Sequence, residues 1–280
     1  MAEPIVGSEE HKRLFCQTFI DTHEKYTPAD LSFPEIDDES RQRLLSLPIW
    51  DEAVNTERET AYKVKRMADF EPDPLVREAI ALQGFEEGRH AALLDLLTRR
   101  YEIPVRRRAE EPEVRNVPWE FTRTEYGECF DAFFAFGLFA IARDSGFFPP
   151  PLVTLFDPIM QEEARHVMFF VNWIAYRRVH LSVLGRPLLD VKRGVAVVLQ
   201  VLSRVRTAFD LGGTEQDNFA MNSHSSLGDF SLRGYLEICL RENERRLGLY
   251  DRRLLRPQFV PRVARLALKV LPRASRAAHS

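Results

Sequence analysis

The feature that most constrains this chain is a five-residue motif that occurs twice. The sequence EEGRH at 86–90 returns as EEARH at 162–166, 76 residues later, and both copies lie in segments with helical apolar periodicity. Side chains three residues apart share one face of a helix, so Glu87 pairs with His90 and Glu163 with His166. Two such pairs, with one further glutamate from each of two other helices, form the inward-facing ligand set of a dinuclear metal site in a four-helix bundle.

The repeat includes the starts of the helices that carry the motifs. Pro74 and Pro150 are also 76 residues apart, and Asp73 before Pro74 is typical of an N-cap followed by proline at the first helical position. Apolar periodicity predicts helices throughout, with a charged, proline-containing crossover over 102–118. The predicted helices cover about 9–25, 48–68, 74–101, 119–143, 150–179, 188–211 and 230–250. A loop is predicted over 212–228.

These helices predict a single all-α domain over 1–280. Its core is a four-helix bundle over 48–179, built from two helical hairpins joined by a long crossover, which is the ferritin-like arrangement. An extra N-terminal helix precedes this core, and additional C-terminal helices form an extension over 180–280.

The heights of ligands in a bundle predict a glutamate on the first core helix. Neighbouring antiparallel helices place ligands at one height when these lie equally far from the connecting turn. Glu87 lies 13 residues after Pro74, and Glu57 lies about as far before the end of the preceding helix. Glu57 is also the acid on the apolar face of that helix, so we predict it as a ligand.

The same count on the third core helix leaves two candidates. Counting back from the predicted helix end near Arg143 reaches Glu128 and Asp131. Glu128 shares a face with the small residues Ala132 and Ala135, and a glutamate reaches further than an aspartate when it bridges two ions. We predict Glu128 as the ligand, with Asp131 as the alternative.

The paired motifs resemble the di-iron carboxylate branch of the ferritin-like superfamily, which contains acyl-carrier-protein desaturases, bacterial multicomponent monooxygenases and the small subunit of ribonucleotide reductase. The resemblance covers about 48–179. It implies that Glu86 and Glu162, the acids before each ligand glutamate, hold the histidine of the opposite motif by a hydrogen bond. It further implies that Arg89 and Arg165 neutralise part of the buried negative charge.

Departures from that branch bear on the reaction. Leu94 and Phe170 stand where the reductase subunit carries its radical tyrosine, and Ile159 stands where the arylamine N-oxygenases of the superfamily carry an additional histidine. The chain also continues for about a hundred residues beyond the bundle, unlike ferritins that store iron. The resemblance therefore implies an oxidase or oxygenase without naming hydroxylation, desaturation or N-oxygenation.

The predicted ligands, four carboxylates and two imidazoles, suit two iron ions or manganese and leave positions open to O₂. The expected activity is an O₂-dependent oxidation of a small to medium hydrophobic or aromatic substrate. A manganese catalase or peroxidase is one alternative, and a non-enzymatic metal-binding protein is the other. Phenylalanines crowd the third and fourth core helices as either core or substrate lining: Phe130, Phe133, Phe134, Phe136, Phe139, Phe169 and Phe170.

The composition of the chain limits which partners and which cellular location are expected. A net charge of −3 disfavours a general nucleic-acid binder, and three widely spaced cysteines fit a reducing cytoplasm. The longest apolar run is too short to cross a bilayer, and no secretory signal is visible. No flavin, nicotinamide or Fe–S motif occurs, so the activity implies an external reductase or ferredoxin.

Two further predictions concern packing. The other histidines, His11 and His23 among them, lack paired acids and are predicted to have surface or packing roles. The basic segment over 252–276 carries apolar residues at helical spacing. It is predicted to pack on the bundle or on a second copy of the chain, as in a homodimer, with a membrane contact as the alternative.

Overall fold

The computed structural model describes residues 4–47, 49–108, 113–211 and 231–271, and for 203–211 it describes the backbone alone. Its regular elements in these ranges are helices and it contains no strand there, which confirms the all-α prediction. The α-helices are α1 Glu9–Asp21, α2 Asp38–Ser46, α3 Trp50–Phe70, α4 Pro74–Arg100, α5 Val117–Ser145, α6 Pro150–Thr154, α7 Asp157–His180, α8 Gly185–Leu211, α9 Leu232–Leu247 and α10 Phe259–Val270. A single 3₁₀ turn covers Pro28–Asp30.

Four long helices, α3, α4, α5 and α7, surround one interior. Helix α3 packs against α4 and α5, and α7 packs against the same two helices. Within the described residues, α4 and α5 make no close backbone contact, so they lie diagonally across that interior. Residues that reach from α4 to α5 must therefore cross the space that all four helices enclose.

Local signals set the ends of these helices. Asp73 caps α4, because its side chain accepts hydrogen bonds from the backbone N–H groups of Leu75 and Val76, and Pro74 fills the first helical position. Asn116 caps α5 in the same way. Gly146 ends α5 in the left-handed region at φ 66°, which glycine adopts without steric cost.

Two parts of the helix prediction were wrong. No helix was predicted over 38–46, where α2 lies with Asp37 as its N-cap. The predicted helix over 150–179 is two helices, because Pro158 at the start of α7 has no backbone N–H to continue the hydrogen bonding of α6. Pro48 and the predicted loop over 212–228 lie outside the described residues.

The remaining helices pack on the outside of α3, α4, α5 and α7. Helix α1 packs on α7 and α4, where Phe15 and Phe19 contact Phe169. Helices α8, α9 and α10 all pack on α5. Val260 and Ala264 are the buried residues on the face of α10 that packs there. Among the described residues, we find no helix with the length and apolarity needed to cross a bilayer.

Candidate metal centre

The two motifs meet in the interior between α4 and α7. Glu87 and His90 on α4 are at most 1% exposed, and His166 on α7 is fully buried. Glu163 is 6% exposed. Each pair points inward because its glutamate and histidine are three residues apart, so one helical face carries both.

The first half of the centre is formed around His90. Its Nδ1 lies 3.2 Å from Glu163 Oε1 and 3.4 Å from Glu57 Oε2. One ligand atom each from Glu57, Glu87, His90 and Glu163 lies within 4.8 Å of the other three. This buried Glu/His cluster, which contains four of the six predicted ligands, could hold a metal ion.

The second half is formed around His166 and shares two of the same carboxylates. His166 Nδ1 lies 2.9 Å from Glu87 Oε1 and 3.9 Å from Glu163 Oε1. Glu87 and Glu163 therefore lie between the two imidazoles, whose ring centroids are 5.7 Å apart. This is the arrangement that two carboxylates need if they are to reach two ions.

The outer nitrogen of each imidazole is held by the opposite motif. His90 Nε2 lies 2.7 Å from Glu162 Oε2, and His166 Nε2 lies 2.9 Å from Glu86 Oε2. Arg89 donates to Glu162 and Arg165 donates to Glu86. Because each acid sits on the other helix, the two contacts tie α4 to α7.

These contacts determine which imidazole nitrogens face the centre as acceptors. An ionised carboxylate only accepts hydrogen bonds, so each Nε2 must carry a proton and donate it. In the neutral ring, Nδ1 then presents a lone pair toward carboxylate oxygens that also present lone pairs. Such an arrangement is unfavourable unless a metal ion or a proton lies between them.

Several atoms of the centre have no hydrogen-bond partner, as expected if their lone pairs face a cation. Five buried atoms of the two glutamate–histidine pairs have no hydrogen-bond partner: Glu87 Oε1, His90 Nδ1, Glu163 Oε1, Glu163 Oε2 and His166 Nδ1. Buried polar atoms without partners are rare in proteins. All five are carboxylate oxygens or imidazole nitrogens, the atom types that bind divalent ions, so the residues present fit a metal site.

The electrostatics of the metal-free centre also favour positive charge. Burial and neighbouring carboxylates raise the pKa of Glu57 to about 8, against the opposing effect of His90. Burial lowers the pKa of His166, but the charge of Glu87 and the hydrogen bond to Glu86 raise it overall, to about 10. Although burial also opposes ionisation of Glu86, His166 and Arg165 hold its pKa at about 2. Protons thus supply the charge that a metal would otherwise provide.

On the third helix, Glu128 is half-buried and Asp131 is exposed. Burial, followed by the charges of Glu163 and Glu87, raises the pKa of Glu128 well above its usual value. Its Oε1 accepts a hydrogen bond of 3.2 Å from Thr60 Oγ1 on α3. Glu128 therefore lies within electrostatic reach of the cluster, but its oxygens are outside the group of four that meet within 4.8 Å.

Sequence reasoning missed Glu125, which is fully buried one turn before Glu128. Gln83 Nε2 donates to Glu125 Oε1 at 2.7 Å, across the diagonal between α4 and α5. Gln83 Oε1 and Glu125 Oε2 have no partner. A signal was present, because Gln83 and Glu125 stand one turn before Glu87 and Glu128 respectively, on helices whose inner faces are otherwise mainly apolar.

The segment after α1 supplies two further contacts that the sequence did not predict. His23 Nδ1 hydrogen-bonds Glu86 Oε1, so its role extends beyond the predicted surface or packing one. Tyr26 donates from its hydroxyl to Glu162 Oε2 at 3.3 Å, and its ring lies under the Arg89 guanidinium. Both acids that hold the imidazoles are therefore covered from the same side.

Three of the seven phenylalanines predicted near the site pack against outer helices instead. Phe130 and Phe133 pack against α9 and α10, and Phe134 stacks on Tyr235. Phe136 remains a candidate lining residue, because it shares an apolar cluster with Ala132 and with Ala164, the neighbour of Glu163.

Comparison of the chain with protein-family models, with curated proteins and with solved structures gave no match.

Proposed function

We propose that the chain is a ferritin-like di-iron protein that catalyses an O₂-dependent oxidation of a small to medium hydrophobic or aromatic substrate. The observation that carries this proposal is the convergence of two Glu-x-x-His pairs whose inward atoms lack partners, while Glu86 and Glu162 hold the outer imidazole nitrogens. The diagonal placement of α4 and α5 supports a four-helix bundle around that centre.

The proposed ligands divide into three kinds. Glu87 and Glu163 lie between the imidazoles and would hold the metal ions together with Nδ1 of His90 and Nδ1 of His166. Glu57 and Glu128 would complete the set from α3 and α5. Two bound iron ions would supply the capacity to reduce O₂, which carboxylate and imidazole side chains lack.

The surrounding residues would keep this set in place. Glu86 and Glu162 fix the tautomer and the orientation of the imidazoles, and an arginine on each acid offsets its negative charge. Apolar side chains such as Phe136 and Ala132 would exclude water and contact the substrate. The sequence carries no motif for an organic redox cofactor, so a separate reductase or ferredoxin would deliver the electrons.

The first test is metal content per chain, measured by elemental analysis on protein from cells supplemented with iron and with manganese. We expect about two irons per chain, and loss of both in the double variant Glu87→Ala/Glu163→Ala. Glu78→Ala is the matched control, because Glu78 is an exposed glutamate on the same helix as Glu87. Metal-free wild-type protein from both cultures would overturn the proposal.

The second test separates oxygen chemistry from metal binding alone. Iron-loaded protein, reduced under anaerobic conditions and then mixed with O₂, should consume oxygen and show a transient change in absorption. Two manganese ions with rapid peroxide dismutation would instead favour a catalase-like enzyme. Tight iron binding without oxygen consumption would indicate a non-enzymatic metal-binding protein.

A further inference from the structure

The outward face of α8, together with the turn before it, exposes an unusual amount of apolar surface. Monomeric proteins rarely leave large contiguous apolar patches in water. Nine valine and leucine side chains here are between 39% and 84% exposed: Val183, Leu184, Leu188, Val191, Val195, Val198, Leu199, Val201 and Leu202. We call this set the α8 face.

The central row of the α8 face has the spacing of a helix that packs on another helix. Its apolar positions follow one another at intervals of four, three, four, three and four residues, which is the 3.5-residue period of coiled-coil packing. The opposite side of α8 packs within the chain, because Ala196 is buried and Val197 contacts the apolar cluster that contains Phe130. The row consists of Leu184, Leu188, Val191, Val195, Val198 and Leu202.

Gly194 lies beside the middle of this row. Glycine in a helix interior is unfavourable relative to alanine. A Cβ added at Gly194 would meet no atom within 4 Å, so packing within the chain gives no reason for glycine at this position. A second helix crossing there would give one, because a residue without a side chain lets two backbones approach closely.

The row is also nearly symmetric about its middle. An antiparallel copy centred between Val191 and Val195 would place these two valines opposite each other. The same register puts Leu184 opposite Leu202, so the two ends also match in kind. A surface that matches itself after a two-fold rotation is what an isologous dimer requires.

We propose that the α8 face binds the α8 face of a second copy of this chain, antiparallel and crossing beside Gly194. The charges of α8 favour a protein partner over a membrane surface. An interfacial membrane helix carries lysines and arginines along a polar face in contact with water. On α8 two of the charged residues are engaged within the chain instead, because Arg193 contacts Tyr126 and Asp190 pairs with Arg178.

The first experiment measures the mass of the full chain by sedimentation equilibrium. Wild-type protein should be a dimer at about 10 µM. The double variant Leu188→Glu/Val191→Glu should weaken association at least about 100-fold, because it puts charges at the interface centre. Leu249→Glu is the matched control, because Leu249 is 69% exposed but lies after α9. It should remain a dimer.

Cross-linking then tests the orientation and the crossing point. In the proposed dimer Gly194 lies near the two-fold axis, so Gly194→Cys should form a disulfide-linked dimer on mild oxidation. Leu184→Cys should not link to its own copy, because the two residues would be separated by the rise of 18 helical residues, about 27 Å. Co-incubated Leu184→Cys and Leu202→Cys chains should link to each other.

The proposal is overturned by a monomeric wild-type chain, by a Leu188→Glu/Val191→Glu variant that stays dimeric, or by Leu184→Cys linking to itself. Binding of the wild-type chain, as a monomer, to vesicles of anionic phospholipid would assign the α8 face to a membrane and would also overturn it. Circular dichroism of each variant verifies that it is folded. The proposal does not rest on the proposed function, and metal content per chain should be unchanged in all these variants.

Discussion

Glu86 and Glu162 each stand beside a proposed ligand in sequence, yet each contacts the histidine of the other motif. The reason is helical geometry, because consecutive residues point about 100° apart and cannot serve the same face. The acid before each ligand glutamate therefore faces the neighbouring helix. One duplicated motif thus provides both the proposed ligand atoms and the contacts that orient them.

The first prediction concerns these two acids. Glu86→Gln and Glu162→Gln should each lower metal affinity about 10- to 100-fold while leaving the two ligand pairs intact. An amide holds the imidazole tautomer less strongly than a carboxylate, and it removes the ion pair with Arg165 or Arg89. Affinity is measured by competition with a chromogenic chelator, with Glu78→Gln as the control. Wild-type affinity in both variants would contradict an orienting role.

Glu125 provides a second prediction at this scale. Burial, followed by the charge of Glu87, raises its pKa to about 8. Between the ordinary carboxyl value, near 4.3, and about 8, the folded state keeps a proton that the unfolded state has lost. The unfolded state therefore binds fewer protons in this window, and stability must fall as pH rises through it.

In metal-free protein, Glu125→Gln should remove this loss, because glutamine does not ionise and still accepts the hydrogen bond from Gln83. The free energy of unfolding of the variant relative to wild type should grow with pH, by up to about 1.4 kcal/mol per unit. Urea unfolding at pH 5.5 and 7.5 measures the difference. An equal difference at both pH values would refute the raised pKa.

At the scale of helices, the two copies of the motif differ where their surroundings differ. Gly88 on α4 is exposed and an added Cβ would meet nothing there, whereas its counterpart Ala164 on α7 is fully buried. At Gly137 on α5, by contrast, there is no space for a side chain, because an added Cβ would overlap the Cys239 sulfur on α9. The close packing of α9 on α5 thus requires glycine at 137 and leaves 88 free.

These two glycines give a matched prediction. Gly137→Ala should destabilise the fold by about 1–3 kcal/mol through overpacking. Gly88→Ala should stabilise it by about 0.5–1 kcal/mol through helix propensity. Adding Cys239→Ala to Gly137→Ala should recover part of the loss, because the added Cβ would still lie 3.1 Å from Tyr235 and 3.3 Å from the Cys239 backbone; a double-mutant cycle of unfolding free energies measures the recovery. Independent effects of the two substitutions would show that they are not in contact.

For the whole molecule, metal binding and stability should be linked. A metal that binds the folded state but not the unfolded chain stabilises it by about 2.7 kcal/mol at 100 times its dissociation constant. Ferrous or manganous ions added anaerobically should therefore raise the unfolding midpoint, and a chelator should reverse the rise. Glu87→Ala/Glu163→Ala should show no such dependence. An equal rise in that variant would place the stabilising ion elsewhere.

The sequence by itself determined the helical class and the start of α4, because apolar periodicity and the Asp73–Pro74 cap act within a few residues. It also predicted that each glutamate–histidine pair shares a face, since that follows from a spacing of three. The split of the predicted helix over 150–179 was harder to see. A proline can lie at the first position of a helix without ending it, so the sequence did not show that Pro158 starts a second helix after the one that Pro150 starts.

Only the tertiary structure decided which distant residues meet. The contact between Gln83 and Glu125 exists because α4 and α5 lie diagonally and two long side chains span the gap between them. The contacts of His23 and Tyr26 depend on the path of an irregular segment, which has no periodicity from which to infer it. Short-range spacing is encoded in adjacent residues, whereas these contacts depend on how whole helices pack.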